Sequence, residues 1–169
     1  MKNNIVLIGM PGCGKTSIGK LVAKKLKLDF IDVDEYIEKE NNMSIKDMFK
    51  YGESYFRNME TKAIKKISTE KNTVISTGGG VITKDINMKY LKENGIVLFI
   101  DRPLKNILSD INQYKRPLIQ DDKYKLYELF QKRYPIYKKY SDHIIKNDKT
   151  LIDVIYAIES KIKNNTLSR

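Results

Sequence analysis

The chain has 169 residues, with 32 Lys and Arg against 21 Asp and Glu, one His, one Cys and no Trp. That length suits a single domain, since domains commonly hold about 100–150 residues, and a lone cysteine excludes a disulfide-stapled secreted scaffold. The apolar runs at 5–8 and 96–100 are far short of the ~20 residues of a membrane span, and no signal-peptide cleavage pattern follows the first of them, so the expectation is a soluble cytoplasmic monomer.

The elements follow in chain order. Asn4 to Ile8 is a β-branched apolar run, so a strand; a glycine-rich turn follows, then a helical pattern over 15–26 with Ile18, Leu21, Val22 and Leu26 on one face. A second strand over 28–33 ends in acidic residues, and 35–71 reads as helix broken at Gly52. Thr73 to Ser76 is a third strand running into Gly78-Gly79-Gly80; 86–92 is helical, and Gly95 separates it from the strongest strand, 96–100. Pro103 suits the first turn of another helix. Residues 110–122 are polar and aperiodic, as a loop would be; helix resumes near Lys123 and breaks around Pro135. A last strand over 143–145 and an amphipathic helix over 151–162 close the chain. Strands that are continuous apolar runs, alternating with helices, predict a doubly wound α/β domain with a parallel sheet covered on both faces.

The net charge of +11 does not by itself mark a nucleic-acid partner: the basic residues are spread along the chain among acids, without a block of five or six like charges. Lys outnumbers Arg 27 to 5, so each Arg is a position where a planar five-donor fork was kept over the default cation. Arg57, Arg102, Arg116 and Arg133 are therefore followed individually; Arg102, beside Pro103, reads as structural.

Gly9-Met10-Pro11-Gly12-Cys13-Gly14-Lys15-Thr16 satisfies G-x-x-x-x-G-K-[ST] between a strand and a helix, the context the motif requires. Glycines let successive N–H groups point inward at phosphate oxygens, and the helix start adds its positive dipole end. Lys15 would reach the β- and γ-phosphates of a nucleotide, and the Thr16 hydroxyl would ligate Mg²⁺. Cys13 reads as a small residue tolerated inside the cradle; the sharper alternative is a thiol activated by the helix N-terminus.

Asp32-Val33-Asp34 is read as closing the second strand, with both carboxylates alternating toward the ligand crevice at the strand ends. One can hold Mg²⁺ through water, and the other can accept the proton of an attacking hydroxyl. Three consecutive glycines at 78–80 signal close approach of backbone to a ligand. Arg57 and Arg133 suit bidentate capture of a carboxylate, and Arg116, in the polar loop, suits stabilisation of a transferring phosphoryl group by a closing lid. The lone His143 reads as an incidental residue beside the last strand.

Jointly these residues resemble the shikimate kinase family over nearly the whole chain: the Walker A at 9–16, Asp32-x-Asp34, Phe56-Arg57, the triple glycine, Arg116-Pro117-Leu118, and Arg133 ahead of Pro135 and Tyr137. The resemblance implies a three-layer α/β/α P-loop kinase fold, a five-stranded parallel sheet in order 2-3-1-4-5, and a mobile lid over about 110–122. The whole of 1–169 would be one kinase domain, with an acceptor-binding region over about 32–60. It implies ATP-dependent phosphorylation of the shikimate 3-hydroxyl, giving shikimate 3-phosphate and ADP on the route to chorismate and the aromatic amino acids. Gly12, Cys13, Gly14, Lys15, Thr16, Ser17 and Arg116 would then hold ATP, and Thr16, with Asp32 through water, would hold Mg²⁺. Asp34 would hold the acceptor hydroxyls, Arg57 and Arg133 its carboxylate, and Gly78, Gly79 and Gly80 would close over the ring, with Lys15, Asp34 and Arg116 as the catalytic set. Neither a nucleic acid nor a membrane is an expected partner. Many members carry an Arg just before the lid that packs on adenine; Ser109-Asp110 stand there in this chain. Two other readings remain open: a different small-molecule kinase acting on gluconate or a nucleoside monophosphate, and a basic P-loop switch that binds nucleic acid.

Overall fold

A computed structural model of the chain describes residues 2–113 and 123–167, with side chains of 111–113, 123 and 164–167 left aside. Its elements are β1 (Asn4–Ile8), α1 (Lys15–Leu26), β2 (Asp29–Asp32), α2 (Val33–Asn41), α3 (Ile45–Lys50), α4 (Glu53–Ile67), β3 (Thr73–Ser76), α5 (Asp85–Asn94), β4 (Gly95–Asp101), α6 (Leu104–Gln113), α7 (Lys123–Tyr140), β5 (His143–Lys146) and α8 (Leu151–Leu167). The five strands form one sheet in the order β2-β3-β1-β4-β5, and every pairing is parallel. Helices cover both sides, the layering expected for this fold class.

The central strand explains the register. All five residues of β1 are buried, so no polar alternation remains to be read, and Ile5 lies opposite Val74 on one side and Ile96 on the other. Asn4 is the polar exception at its base. It is satisfied there, since its Nδ2 donates to the Glu70 carbonyl at 2.7 Å and its Oδ1 accepts from the Thr73 N–H at 3.1 Å. The parallel arrangement gathers the carboxyl ends of all the strands on one edge, so the turns after β1, β2, β3 and β4 converge there.

Four details differ from the sequence reading. On α1 the inward face is Ile18, Gly19, Val22 and Ala23, whereas Leu21 is exposed. The helix lies so close to the sheet at Gly19 that a Cβ there would stand 2.7 Å from the Phe30 ring, so no larger side chain fits at that position. The helical stretch over 35–71 begins earlier, at Val33, and has an additional break at 42–44. There Asn42 takes a left-handed turn (φ +48°), and Ser44 caps α3 by accepting the Asp47 N–H at 3.1 Å. Residues 110–113 belong to the last turn of α6, not to a loop.

The fourth difference is at Pro135, which sits inside a continuous α7 instead of ending it. Proline removes one helical hydrogen bond, so tertiary contacts must hold the helix on both sides of it. Tyr134 donates to Asp101 at 3.1 Å and packs edge-on against Phe99; Tyr137 stacks on the same ring at 5.1 Å between centroids. Both tyrosines thus tie α7 to β4 across the proline.

Asp101, almost fully buried at the end of β4, also accepts from Lys146 Nζ at 2.5 Å, joining β4, β5 and α7 through one carboxylate. Asp101→Ala should therefore cost about 1 kcal/mol of stability, the scale of the hydrogen bonds it removes, since the partly exposed Tyr134 hydroxyl and Lys146 regain water. Urea unfolding checks this; an unchanged midpoint would show that α7 is held by its aromatic contacts alone.

Candidate active site

The turn after β1 is the cradle predicted from sequence. Gly14 lies at φ +96°, a conformation open to glycine at little cost, and α1 starts immediately after it. Lys15 is nearly buried and folds back over its own loop, donating to the Gly9 and Met10 carbonyls at 2.9 Å each. Thr16 Oγ1 donates to Asp32 Oδ2 at 2.7 Å and lies 3.5 Å from Ser76 Oγ, so the ends of α1, β2 and β3 meet at one hydroxyl. Cys13 is fully buried beneath the loop, its Sγ 3.7 Å from Lys15 Nζ. The accessible, activated thiol considered from sequence therefore does not fit, although the Cys13 carbonyl helps fix the loop by accepting from Asn147 at 2.9 Å.

Asp32 and Asp34 reach the site by a different local route than alternation along a strand. β2 ends at Asp32, which caps α2 by accepting the N–H groups of Asp34 (3.0 Å) and Glu35 (3.3 Å). Asp34 is therefore in the first helical turn. An aspartate two residues before a helical turn serves as a cap more readily than as a strand residue, which is why the strand stops there. Both carboxylates still enter the same crevice.

A cavity of about 570 Å³ spans this edge. Its lining takes in Gly12, Gly14, Lys15, Thr16 and Ser17 of the cradle together with Asp32, Asp34, Gly78 and Gly79. The triple glycine is a matter of space: a Cβ on Gly78 would come within 2.8 Å of Asp34 Oδ1, one on Gly79 within 2.7 Å of Pro11, and one on Gly80 would overlap the Arg57 guanidinium. Gly80, Arg57, Arg133 and Cys13 are not part of that lining. Arg57 lies behind Gly80, nearly buried, with Nε on Glu53 at 3.2 Å and Nη1 on Glu60 at 2.9 Å. Arg133 approaches the same group from α7, close enough to bond the Tyr137 hydroxyl and to act on Glu60. Arg116 lies outside the described residues, as does most of the expected lid.

Two electrostatic features stand out. Asp34 Oδ1 is buried with no hydrogen-bond partner among the described residues. Burial first, and then the negative charges of Asp32 and Glu60, push its carboxyl up from 3.8 to about 6, against the opposing pull of Lys15 and Arg57. Glu60 is likewise pushed up by burial, offset by Arg57. Tyr137 is fully buried, and that burial raises its hydroxyl well above the ordinary range, keeping it a neutral donor to the Gly79 carbonyl at 2.5 Å. The arrangement brings a glycine-rich cradle and a buried carboxylate into one cavity.

Sequence reasoning missed several members. Glu60 could have been found from its i,i+3 spacing to Arg57. Arg102 was read as structural, yet it lines the cavity together with Ile107, Asp110 and Thr77. The folding of α6 against the cradle brings Ile107 and Asp110 in, and a Cβ on Gly12 would stand 3.3 Å from Ile107; Arg102 follows β4 and Thr77 follows β3.

Known proteins agree with this geometry. The family described as shikimate kinase matches residues 11–163 of the chain. A shikimate kinase from Clostridium botulinum is 49% identical over 165 residues, covering 98% of this chain and 100% of that protein. Among solved structures, the shikimate kinase from Acinetobacter baumannii in complex with shikimate superposes with a TM-score of 0.90 at 34% identity, covering 98% of this chain and 95% of that one. The shikimate kinase from Aquifex aeolicus gives 0.82, also at 34% identity, covering 98% and 99%. With a family match across most of its length and relatives of near-equal length throughout, the chain belongs to the shikimate kinase family and is an ATP-using phosphotransferase.

Proposed function

We propose that the chain transfers the γ-phosphoryl group of ATP to the 3-hydroxyl of shikimate, with the residues of this cavity in defined roles. The observation that carries the assignment is Asp34, a carboxylate with one buried, unpartnered oxygen, in the same cavity lining as Lys15 and the cradle. Phosphoryl transfer asks mainly for positioning and for stabilisation of spread negative charge, and little covalent chemistry from the protein.

In this reading the backbone of Gly12 to Thr16 holds the phosphates, and Lys15 leaves its loop carbonyls to neutralise charge on the transferring group. Asp34 accepts the hydrogen bond of the attacking hydroxyl and takes its proton as the new O–P bond forms and the bond to the ADP oxygen breaks. Arg57 and Arg133 bind the acceptor carboxylate, and the Gly79 backbone, tied down by Tyr137, forms the wall over the ring. Arg57 is already oriented by Glu53 and Glu60, so less freedom is lost when the acid binds. Arg116 supplies a further cation from the lid. Binding is by shikimate and ATP, in the cytoplasm, by a single copy of the chain.

The residues present also fit Mg²⁺. A hydroxyl on Thr16 and a carboxylate on Asp32, 2.7 Å apart, form the hard-oxygen set for an ion that keeps several waters and shares the phosphates. Among the described residues there is no group of three or more His, Cys, Asp or Glu able to cage a metal, which is the usual situation for Mg²⁺ held jointly with nucleotide. Bound there, it would neutralise charge on the β- and γ-phosphates.

A coupled assay of ADP release with shikimate, gluconate, AMP and CMP tests the acceptor. Turnover with shikimate and little with the others is expected; activity confined to gluconate or AMP would overturn the assignment. A second outcome concerns the cost of the site. Asp34 titrates at about 6 in the folded chain against an ordinary 3.8, so its ionised form opposes folding, increasingly as pH rises through that interval and fully at pH 7. Asp34→Asn should therefore abolish turnover yet raise Tm by ~3–6 °C at pH 7.5, with the gain shrinking toward pH 4. Equal Tm values at both pH values would show that the carboxylate is not held against its solvation.

A further inference from the structure

The Tyr137 hydroxyl sits between two parts of the proposed acceptor site. It donates to the Gly79 carbonyl at 2.5 Å, and Arg133, one helical turn earlier on α7, lies close enough to bond the same oxygen. The direction of both bonds is forced. A guanidinium carries donors only, so the hydroxyl oxygen must accept from it; a carbonyl can only accept, so the single hydroxyl proton goes to Gly79. Burial keeps that proton in place by pushing the hydroxyl far above its ordinary range. The ring is clamped as well, fully buried and stacked on Phe99 at 5.1 Å between centroids. The oxygen that meets Arg133 therefore has a fixed position, whereas an arginine side chain alone keeps much rotamer freedom.

The two arginines proposed to grip the acceptor are not equivalent. Arg57 is held by Glu53 at 3.2 Å and by Glu60 at 2.9 Å, so its charge is already matched and its direction is set within its own helix. Arg133 is partly buried on α7 and acts on Glu60 by charge; the Tyr137 hydroxyl is a neutral partner that can hold it without cancelling that charge. We propose that Tyr137 is a positioning residue for the acceptor, its hydroxyl ordering Arg133 against the Gly79 turn so that one group sets both the grip on the acid and the wall over its ring. The bond donated by the cation also polarises the hydroxyl and strengthens its own bond to Gly79. The class of ligand follows: a small acid whose anionic group reaches Arg133 benefits from the hydroxyl, and an uncharged analogue does not. The proposal deepens the kinase reading and rests on it.

Steady-state kinetics of the wild-type chain, Tyr137→Phe, Arg133→Ala and the double variant, with shikimate and with its uncharged methyl ester, test it. Phenylalanine keeps the ring, its burial and its stack on Phe99 and removes only the hydroxyl. Tyr137→Phe should raise KM for shikimate about tenfold, the scale of a hydrogen bond to a charged group, while kcat and KM for ATP stay within about twofold. For the ester, kcat/KM should be the same in wild type and Tyr137→Phe, and adding Tyr137→Phe to Arg133→Ala should change shikimate kinetics no further. An unchanged KM for shikimate, an equal loss for the ester, or a full further loss in the double variant would each overturn the coupling while leaving the kinase reading in place. So would a Tyr137→Phe chain that loses ADP binding along with its fold, the mark of a hydroxyl that is only structural. If the wild type did not turn over shikimate, both would fall.

Discussion

The site depends on a carboxylate kept where it is poorly solvated. Asp34 is placed by the first turn of α2, walled by Gly78, and left with one oxygen unpaired beside the cradle. In water that oxygen would be hydrated; here it has no hydrogen-bond partner among the described residues. The neighbouring negative charges of Asp32 and Glu60 make the position costlier still, and Lys15 and Arg57 offset only part of it. Under the proposed mechanism, an acceptor hydroxyl meets that energetic deficit when it binds.

Much of the surrounding structure serves to maintain that deficit. Asp32 caps α2 through Oδ1 and holds Thr16 through Oδ2, so one side chain sets both the direction of Asp34 and the position of the hydroxyl proposed to meet Mg²⁺. The three glycines allow the β3 turn to pass between Asp34, Pro11 and Arg57 with no room for a Cβ. Tyr137 fastens that turn from α7, and Phe99 on β4 supports Tyr137. The walls proposed to take acceptor and nucleotide are thus joined through the same central strands.

Much of this was legible in the chain itself. β1, α1 and β3 were read to their ends, because a fully apolar run, a Walker A turn and a triple glycine are each tied to a specific backbone need. The parallel sheet followed from strands without alternation. Less legible were features set by tertiary packing. Leu21 matched the helical period but points outward, since the face of α1 that meets the sheet is Ile18, Gly19, Val22 and Ala23, with room only for glycine at 19. Pro135 looked like a helix end, but Tyr134 and Tyr137 hold α7 across it. Asp32 and Asp34 were expected on one strand; a capping interaction that competes with strand extension sends the second into a helix. Arg102 looked structural because Asp110, eight residues on, gave no local sign that α6 would bring the two together over the cradle.

The most direct test is the pH dependence of kcat/KM for shikimate, at saturating ATP and Mg²⁺. An acceptor hydroxyl that needs ionised Asp34 predicts a fall with unit slope on the acid side that begins above the ordinary carboxylate range, since burial raises that carboxyl. A profile that stays flat well below pH 5 would mean that the carboxylate titrates as an ordinary exposed acid or takes no part in the transfer, and would contradict the account.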